Sequence, residues 1–188
     1  AQFITKKGKI IDVEGNISLR TDNGNIVATN GFFRDITDKK QAEEGLKESE
    51  EKYRNLIERA SDGIVIIQDK KIKYANPKLA EMIGVSLDSV INKPFLKYVH
   101  PSELKNVIKN YLRRMSGKEV PAIYESALKK KNGDKIPVEL NAGIVNYQGG
   151  KADMVIVRDI TERKKSIDEL KNKMEEVRVE KDKIKTIV

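Results

Sequence analysis

Hydrophobic and polar positions change rhythm several times along this chain. Residues 9–20 alternate in part, with Ile11, Val13, Ile17 and Leu19 against Asp12, Glu14, Ser18 and Arg20, which is the period of a half-buried strand. Asp22-Asn23-Gly24-Asn25 supplies the positive-φ residues of a hairpin turn. Residues 26–34 return as a second strand, and Phe3-Ile4-Thr5 is a candidate third. From 38 to 60 the period lengthens. Ala42, Leu46, Ser49, Tyr53, Leu56 and Ala60 alternate steps of four and three, a heptad seam that Ala and Ser weaken in its first half. Gly45 costs that helix roughly 1 kcal/mol relative to Ala.

The next hundred residues predict a mixed domain. Gly63-Ile64-Val65-Ile66-Ile67 and Lys71-Ile72-Lys73-Tyr74-Ala75 read as short strands across a tight Asp69-Lys70 turn. Asn76-Pro77 starts a short helix with Pro at its first position, and Gly84 stops it. Ser86 to Ile91 reads as another short helix. A longer one follows His100-Pro101, with Leu104, Val107, Ile108, Tyr111, Leu112 and Met115 at helical spacing. Three strands close the domain, at about 120–130, 135–147 and 151–160. Their turns are Asn132-Gly133 and Gln148-Gly149-Gly150.

Residues 162–188 then predict one more helix. Ile167, Leu170, Met174, Val177, Lys181, Ile184 and Val188 alternate steps of three and four. The seam is narrow and has little apolar flank, which favours a two-stranded coil over packing on its own domain. Lys181 falls on the seam, where a charged residue can set register or partner number.

One tripeptide occurs twice. Asp35-Ile36-Thr37 and Asp159-Ile160-Thr161 each close a strand-like run, follow an Arg (Arg34, Arg158) and open a charged helical run. The repeat extends backwards: Ile136-Pro137-Val138-Glu139 echoes Ile11-Asp12-Val13-Glu14. Such self-similarity divides the chain into the end of one module, a connector and a whole copy of the module.

Composition narrows the chemistry. Hydrophobic residues make up 38% of the chain and charged residues 35%, the balance of a compact core diluted by long solvated helices. The net charge is +8, but Lys and Glu alternate along the helical stretches, so a solvated mixed-charge face is favoured over a nucleic-acid surface. There are no cysteines, which removes disulfides, thiolate metal sites and cysteine nucleophiles. No apolar run reaches the roughly 18–20 residues of a membrane span. No catalytic triad, phosphate-binding glycine loop or metal-spaced cluster is present, so the segment is expected to be non-catalytic and to hold no metal.

The order of elements, with five local motifs, resembles the PAS sensor family. The motifs are Tyr53-Arg54-Asn55-Leu56-Ile57-Glu58 leading into Ser61-Asp62-Gly63-Ile64; Tyr74-Ala75-Asn76-Pro77 with Met82-Ile83-Gly84; Val99-His100-Pro101-Ser102-Glu103; Lys131-Asn132-Gly133-Asp134; and Asp159-Ile160-Thr161-Glu162-Arg163-Lys164. The resemblance implies an α+β PAS fold: a five-stranded antiparallel sheet with short helices on one face, plus a long connector and a C-terminal coiled-coil-like helix. It implies these divisions: 1–37, the C-terminal strands (PAC part) of a truncated first PAS domain; 38–60, a helical connector; 61–161, a complete PAS domain; 162–188, an output helix. The truncated part would expose Ile17, Leu19, Val27 and Phe33, and a second copy of the chain or the complete domain is expected to cover them.

The resemblance further implies a cytoplasmic sensory module within a larger signalling protein, foremost a sensor histidine kinase of a two-component system. Its partners would be a second copy of the chain, a downstream kinase or other output domain, and a small-molecule ligand. Signal relay is assigned to Asp35, Thr37, Arg158, Asp159, Ile160 and Thr161. Candidate pocket residues are Ile66, Tyr74, Asn76, Met82, Phe95, Val99, Val107, Ile123, Leu140, Asn141, Ile144 and Ile156, with Asn76 and Asn141 as polar contributors. The dimer helices would use Leu46, Tyr53, Leu56, Ile167, Leu170, Met174, Val177 and Ile184. Flavin photochemistry through a cysteine is excluded by the absence of cysteine. The single histidine, His100, precedes Pro101 at a helix start and reads as a cap rather than a heme ligand. No cofactor is required by the sequence. Two other readings stand beside this one: a structural dimerisation module with an empty core, and a fragment of a DNA-binding regulator.

Overall fold

A computed structural model describes residues 1–23 and 25–187, with the side chains of all of these except Asn25 and residues 179–187. The chain divides into two compact units, Ala1–Leu56 and Ile57–Val188.

The first unit is a three-stranded antiparallel sheet and a helix. β1 (Gln2–Ile4), β2 (Ile10–Asp22) and β3 (Asn25–Asp35) pair in that order. Val13 is the buried hydrophobic residue of this sheet. Ile17, Leu19, Val27 and Phe33 stand exposed, as the alternation predicts for strands lacking a cover. α1 (Thr37–Glu58) follows, with Leu46, Tyr53 and Leu56 exposed along it.

The second unit holds a five-stranded antiparallel sheet of order β5-β4-β8-β7-β6. The strands are β4 (Gly63–Gln68), β5 (Lys71–Ala75), β6 (Ile123–Lys129), β7 (Lys135–Tyr147) and β8 (Gly150–Asp159). The last strand in sequence is the central one in space. On one face lie α2 (Pro77–Ile83), α3 (Leu104–Met115) and 3-10 turns at Leu87–Ser89, Phe95–Tyr98 and Pro101–Glu103. The predicted Ser86–Ile91 helix is only the first of those turns. The Phe95–Tyr98 turn carries no periodic signal in the sequence, because four residues are too few to show one. α4 (Thr161–Ile187) leaves from the end of β8.

Local chemistry sets these boundaries. Asn76 caps α2 through its side chain, Pro77 opens it, and Gly84 closes it in the left-handed conformation at φ 71°. The β4–β5 turn uses two non-glycine residues at positive φ, Asp69 (52°) and Lys70 (62°), the geometry that a twisted two-residue hairpin requires. Lys70 N–H donates to the Tyr111 hydroxyl at 3.1 Å, which ties that turn to α3.

Inward residues of the sheet meet the helices in a single core. Val65, Ile67, Val138, Leu140, Ala142, Val155 and Val157 face Leu79, Ile83, Phe95, Val107 and Tyr111. The cross-strand partners Val65↔Val155 and Leu140↔Val157 confirm the shared face. No described helix is long and apolar enough to cross a membrane.

Candidate functional site: a cavity and an exit junction on one strand

The core encloses a cavity of about 60 Å³ between the sheet and the helices. Of the candidate pocket residues, Phe95, Val99, Val107 and Leu140 line it. The other predicted pocket residues do not. Ile66, Tyr74, Ile123, Asn141 and Ile156 lie on the opposite face of the sheet, where Ile123 is 57% exposed. The reason is strand parity: a short all-apolar run such as Gly63–Ile67 does not reveal which alternate set faces inward. Ile144 has the inward parity, opposite Asp153, yet lies far enough along β7 to be 39% exposed. Met82 is buried in the core without lining the cavity.

Asn76 is fully buried, but it is not a free ligand contact. Its Oδ1 accepts from Ile64 N–H at 2.8 Å and Leu79 N–H at 3.1 Å. Its Nδ2 donates to the carbonyls of Ile57 at 3.1 Å and Asp62 at 3.0 Å. One side chain therefore fastens β4, α2 and the lead-in to the domain. His100 caps the Pro101–Glu103 turn, its Nδ1 accepting from Ser102 N–H at 3.3 Å, and it does not line the cavity.

Two charged cavity residues were missed. Arg114 (7% exposed) and Asp153 (1% exposed) pair through Nη1 and Oδ2 at 2.6 Å. Arg114 Nε, Arg114 Nη2 and Asp153 Oδ1 have no partner. Burial pushes the Asp153 carboxyl above its ordinary value, and the Arg114 guanidinium opposes that rise. Burial likewise raises the Tyr124 phenol at the cavity wall, with the Arg114 charge acting against it. A usable signal existed: Val107, Tyr111 and Arg114 recur at heptad spacing, so Arg114 shares the core face of α3. Asp153 likewise shares the parity of Val155 and Val157.

The exit from the domain is built at the other end of β8. Asp159 Oδ1 accepts from Thr161 N–H at 2.8 Å and from the Thr161 hydroxyl at 2.5 Å. Ile160 between them is 2% exposed, and its N–H donates to the Pro137 carbonyl at 3.1 Å. Lys164 N–H then donates to Ile160, the first helical bond of α4. The sequence repeat reproduces this bond for bond. Asp35 Oδ1 accepts from Thr37 N–H at 2.9 Å and from its hydroxyl at 2.6 Å. Ile36 N–H donates to the Asp12 carbonyl, and Lys40 N–H to Ile36. The register agrees as well, with Val13 opposite Asp35 and Val138 opposite Asp159. The Thr37 hydrogen bonds hold the Asp35 carboxyl below its ordinary value. In each copy the Asp reaches forward two residues to fix the first helical threonine.

A ladder of charges crosses the outer face beside this exit. Lys164 and Arg163 in the first turn of α4 reach Glu125 on β6 at 2.8 and 2.7 Å. Arg163 also reaches Glu139 on β7 at 3.2 Å. Arg158 on β8 lies between Glu139, at 3.9 Å, and Asp62, at 2.9 Å. Lead-in and exit are thus joined across the width of the sheet.

The seam residues Ile167, Leu170, Met174 and Val177 are exposed along α4. Val188 lies outside the described residues, as do the side chains of Lys181 and Ile184. The described residues include no group of three or more His, Asp or Glu placed to hold a metal ion.

An antiparallel five-stranded sheet, covered on one face by short helices around a small cavity and continued by an exit helix, defines an α+β sensory module. The profile of the PAS domain family matches residues 61–162, more than half of the chain, and the chain belongs to that family. A curated relative, the methyl sulfide methyltransferase-associated sensor of Methanosarcina acetivorans, is 29% identical over 150 residues. That alignment takes in 78% of this chain and 15% of the relative, so the chain spans a small part of that protein. Among solved structures, the PAS domain of an HTR-like protein from Haloarcula marismortui aligns with TM-score 0.55 and 22% identity, covering 64% of this chain and 99% of that one. A domain of a sensory box sensor histidine kinase/response regulator from Geobacter sulfurreducens aligns with TM-score 0.50 and 26% identity, covering 61% and 96%. PAS domains are as a rule non-catalytic sensory modules of signalling proteins.

Proposed function

We propose that this chain relays a signal from the core of its PAS domain to α4, within a cytoplasmic signalling protein whose output is a histidine kinase. The supporting observation is the position of β8. It lines the cavity through Asp153, Val155 and Val157, and two residues later it becomes the Asp159–Thr161 junction. Occupying the cavity would displace the central strand, and a helix fixed within its first turn must follow. Two copies of the chain would pair through the seams of α1 and α4, and the coil would carry the displacement onward. Residues 1–37 are read as the closing strands of a preceding PAS domain, on the strength of the matching junction bonds.

The chain contains no cysteine, so Asn172→Cys, on α4 away from the seam, gives a unique spin-label position. Distances between labels across the dimer would be compared in that background and in the same background carrying a cavity-filling Leu140→Phe. A shifted distance is expected. An unchanged distance would refute the relay, and the absence of any pair distance would refute the dimer. A dimer whose label distance ignores the cavity would instead favour a structural dimerisation module, the reading to which the exposed seams also lend support.

A further inference from the structure

Arg114 and Asp153 do not spend their hydrogen-bonding capacity on each other. The pair uses one guanidinium nitrogen and one carboxylate oxygen. Arg114 Nε and Nη2 and Asp153 Oδ1 are buried with no partner in hydrogen-bond geometry, the Tyr124 hydroxyl lying near the guanidinium but outside that geometry. Nε–H and Nη2–H point from one edge of the planar guanidinium, a two-pronged donor suited to a carbonyl or carboxylate oxygen. Buried polar atoms are nearly always paired in native proteins, so three idle ones around one ion pair call for an occupant. Both residues line the cavity of about 60 Å³, whose other walls are mostly apolar.

Charge and size select that occupant. The guanidinium and carboxylate cancel, and an added anion would leave a net negative charge in a low-dielectric site. An uncharged molecule adds none. The free atoms call for an acceptor facing Nε and Nη2 and a donor facing Oδ1, and so small a cavity puts the two on neighbouring atoms of the ligand. A primary amide offers this with its carbonyl oxygen and N–H group. A carboxylic acid offers it only while it keeps its proton, and an alcohol fills fewer of the positions. A dry cavity of about 150 Å³ holds the six heavy atoms of benzene, so 60 Å³ restricts the ligand to about two or three.

We propose that the PAS cavity binds a small uncharged molecule carrying a carbonyl oxygen beside an N–H or O–H donor, with Arg114 and Asp153 as its polar anchor. Its meaning as a signal rests on the relay reading above.

The test titrates the purified chain with formamide, formate and xenon, followed by NMR. The Arg114 Nε–H resonance and the amides of 153–157 report the anchor. The amides of Asp159, Ile160 and Thr161 report the relay. The double variant R114M/D153L replaces the pair by apolar side chains of similar bulk, a change that folded domains commonly accept. Formamide is expected to saturate, to shift Arg114 Nε–H, and to bind the double variant at least about tenfold more weakly. Formate at neutral pH is expected to bind more weakly than formamide. The proposal is overturned if formamide leaves Arg114 Nε–H unmoved, which would assign the anchor to ordered water, or if it binds both proteins alike. Tighter binding of formate at neutral pH would overturn the uncharged class. Should the double variant fail to fold, the wild-type Arg114 Nε–H response decides alone. Formamide bound at the anchor with a silent junction would leave the ligand class standing and remove the relay. Xenon moving the junction while formamide does not bind would do the reverse.

Discussion

Arg158 grips Asp62 across 96 residues of sequence. Its Nε lies 3.3 and 3.2 Å from the two carboxylate oxygens, and its Nη2 lies 2.9 Å from Oδ2. Asp62 belongs to the lead-in of the domain and Arg158 to the last turn of strand before the exit. Both ends of the domain are therefore held together at one end of the neighbouring strands β4 and β8. The Arg158 side chain is 60% exposed, so solvent screens the pair and it should add little stability. In a double-mutant cycle of Asp62→Ala and Arg158→Ala, the effects on the urea midpoint should be close to additive. A strong departure from additivity would place the pair among the structural supports of the fold.

The Asp159 cap should matter more locally than globally. Asp159→Ala removes both bonds to Thr161 and should lower stability by about 1 kcal/mol. Amide exchange should accelerate at Thr161 and in the first turn of α4, while exchange in β4 should change little. Asp35→Ala should do the same at Thr37. Uniform acceleration throughout the sheet would contradict a purely local role.

Asn76→Ala should be among the costliest single changes in the domain. It strands the Ile64 N–H and the Asp62 carbonyl, and leaves Leu79 N–H and the Ile57 carbonyl only their longer backbone bonds to the Asn76 carbonyl and to Ala60 N–H. The expected loss is about 3 kcal/mol or more, measured by urea unfolding. A loss below about 1 kcal/mol would mean that water takes over these bonds.

Acid should loosen the first turn of α4. The Lys164 ammonium, followed by the Arg163 guanidinium, holds the Glu125 carboxyl below its ordinary value of 4.5. A carboxyl lowered in the folded state contributes stability above its unfolded value and loses it as pH falls through the folded one. Exchange at the Arg163 and Lys164 amides should therefore accelerate below about pH 4.5 relative to the core. Glu125→Gln should remove that acid-dependent step. A wild-type turn insensitive to acid would count against the bridge.

Much of this architecture was legible in the sequence, for reasons that differ by element. The β7 and β8 strands were readable because polar turns at Asn132-Gly133 and Gln148-Gly149 bracket long alternating runs. The junctions were readable because the same residues occur twice. The cavity was less legible. Ile64-Val65-Ile66-Ile67 gives no internal cue to its inward face, and the wrong parity at Ile66 and Ile156 placed five candidates outside. Arg114 and Asp153 escaped because charge on a core face contradicts the usual pattern, and only their pairing across 39 residues makes that burial tolerable.

The fixed first turn of α4 also sets an angular origin for everything downstream. Thr161 is held by Asp159, and Arg163 and Lys164 are held by Glu125 and Glu139, so the azimuth at which Ile167 emerges is dictated by the sheet. Each residue inserted after Lys165 would turn the apolar seam by about 100°. Seven inserted residues would bring it back to within about 20°. Any sequence fused behind this helix inherits that phase, and placing a chosen domain behind it is thereby a matter of counting residues in sevens.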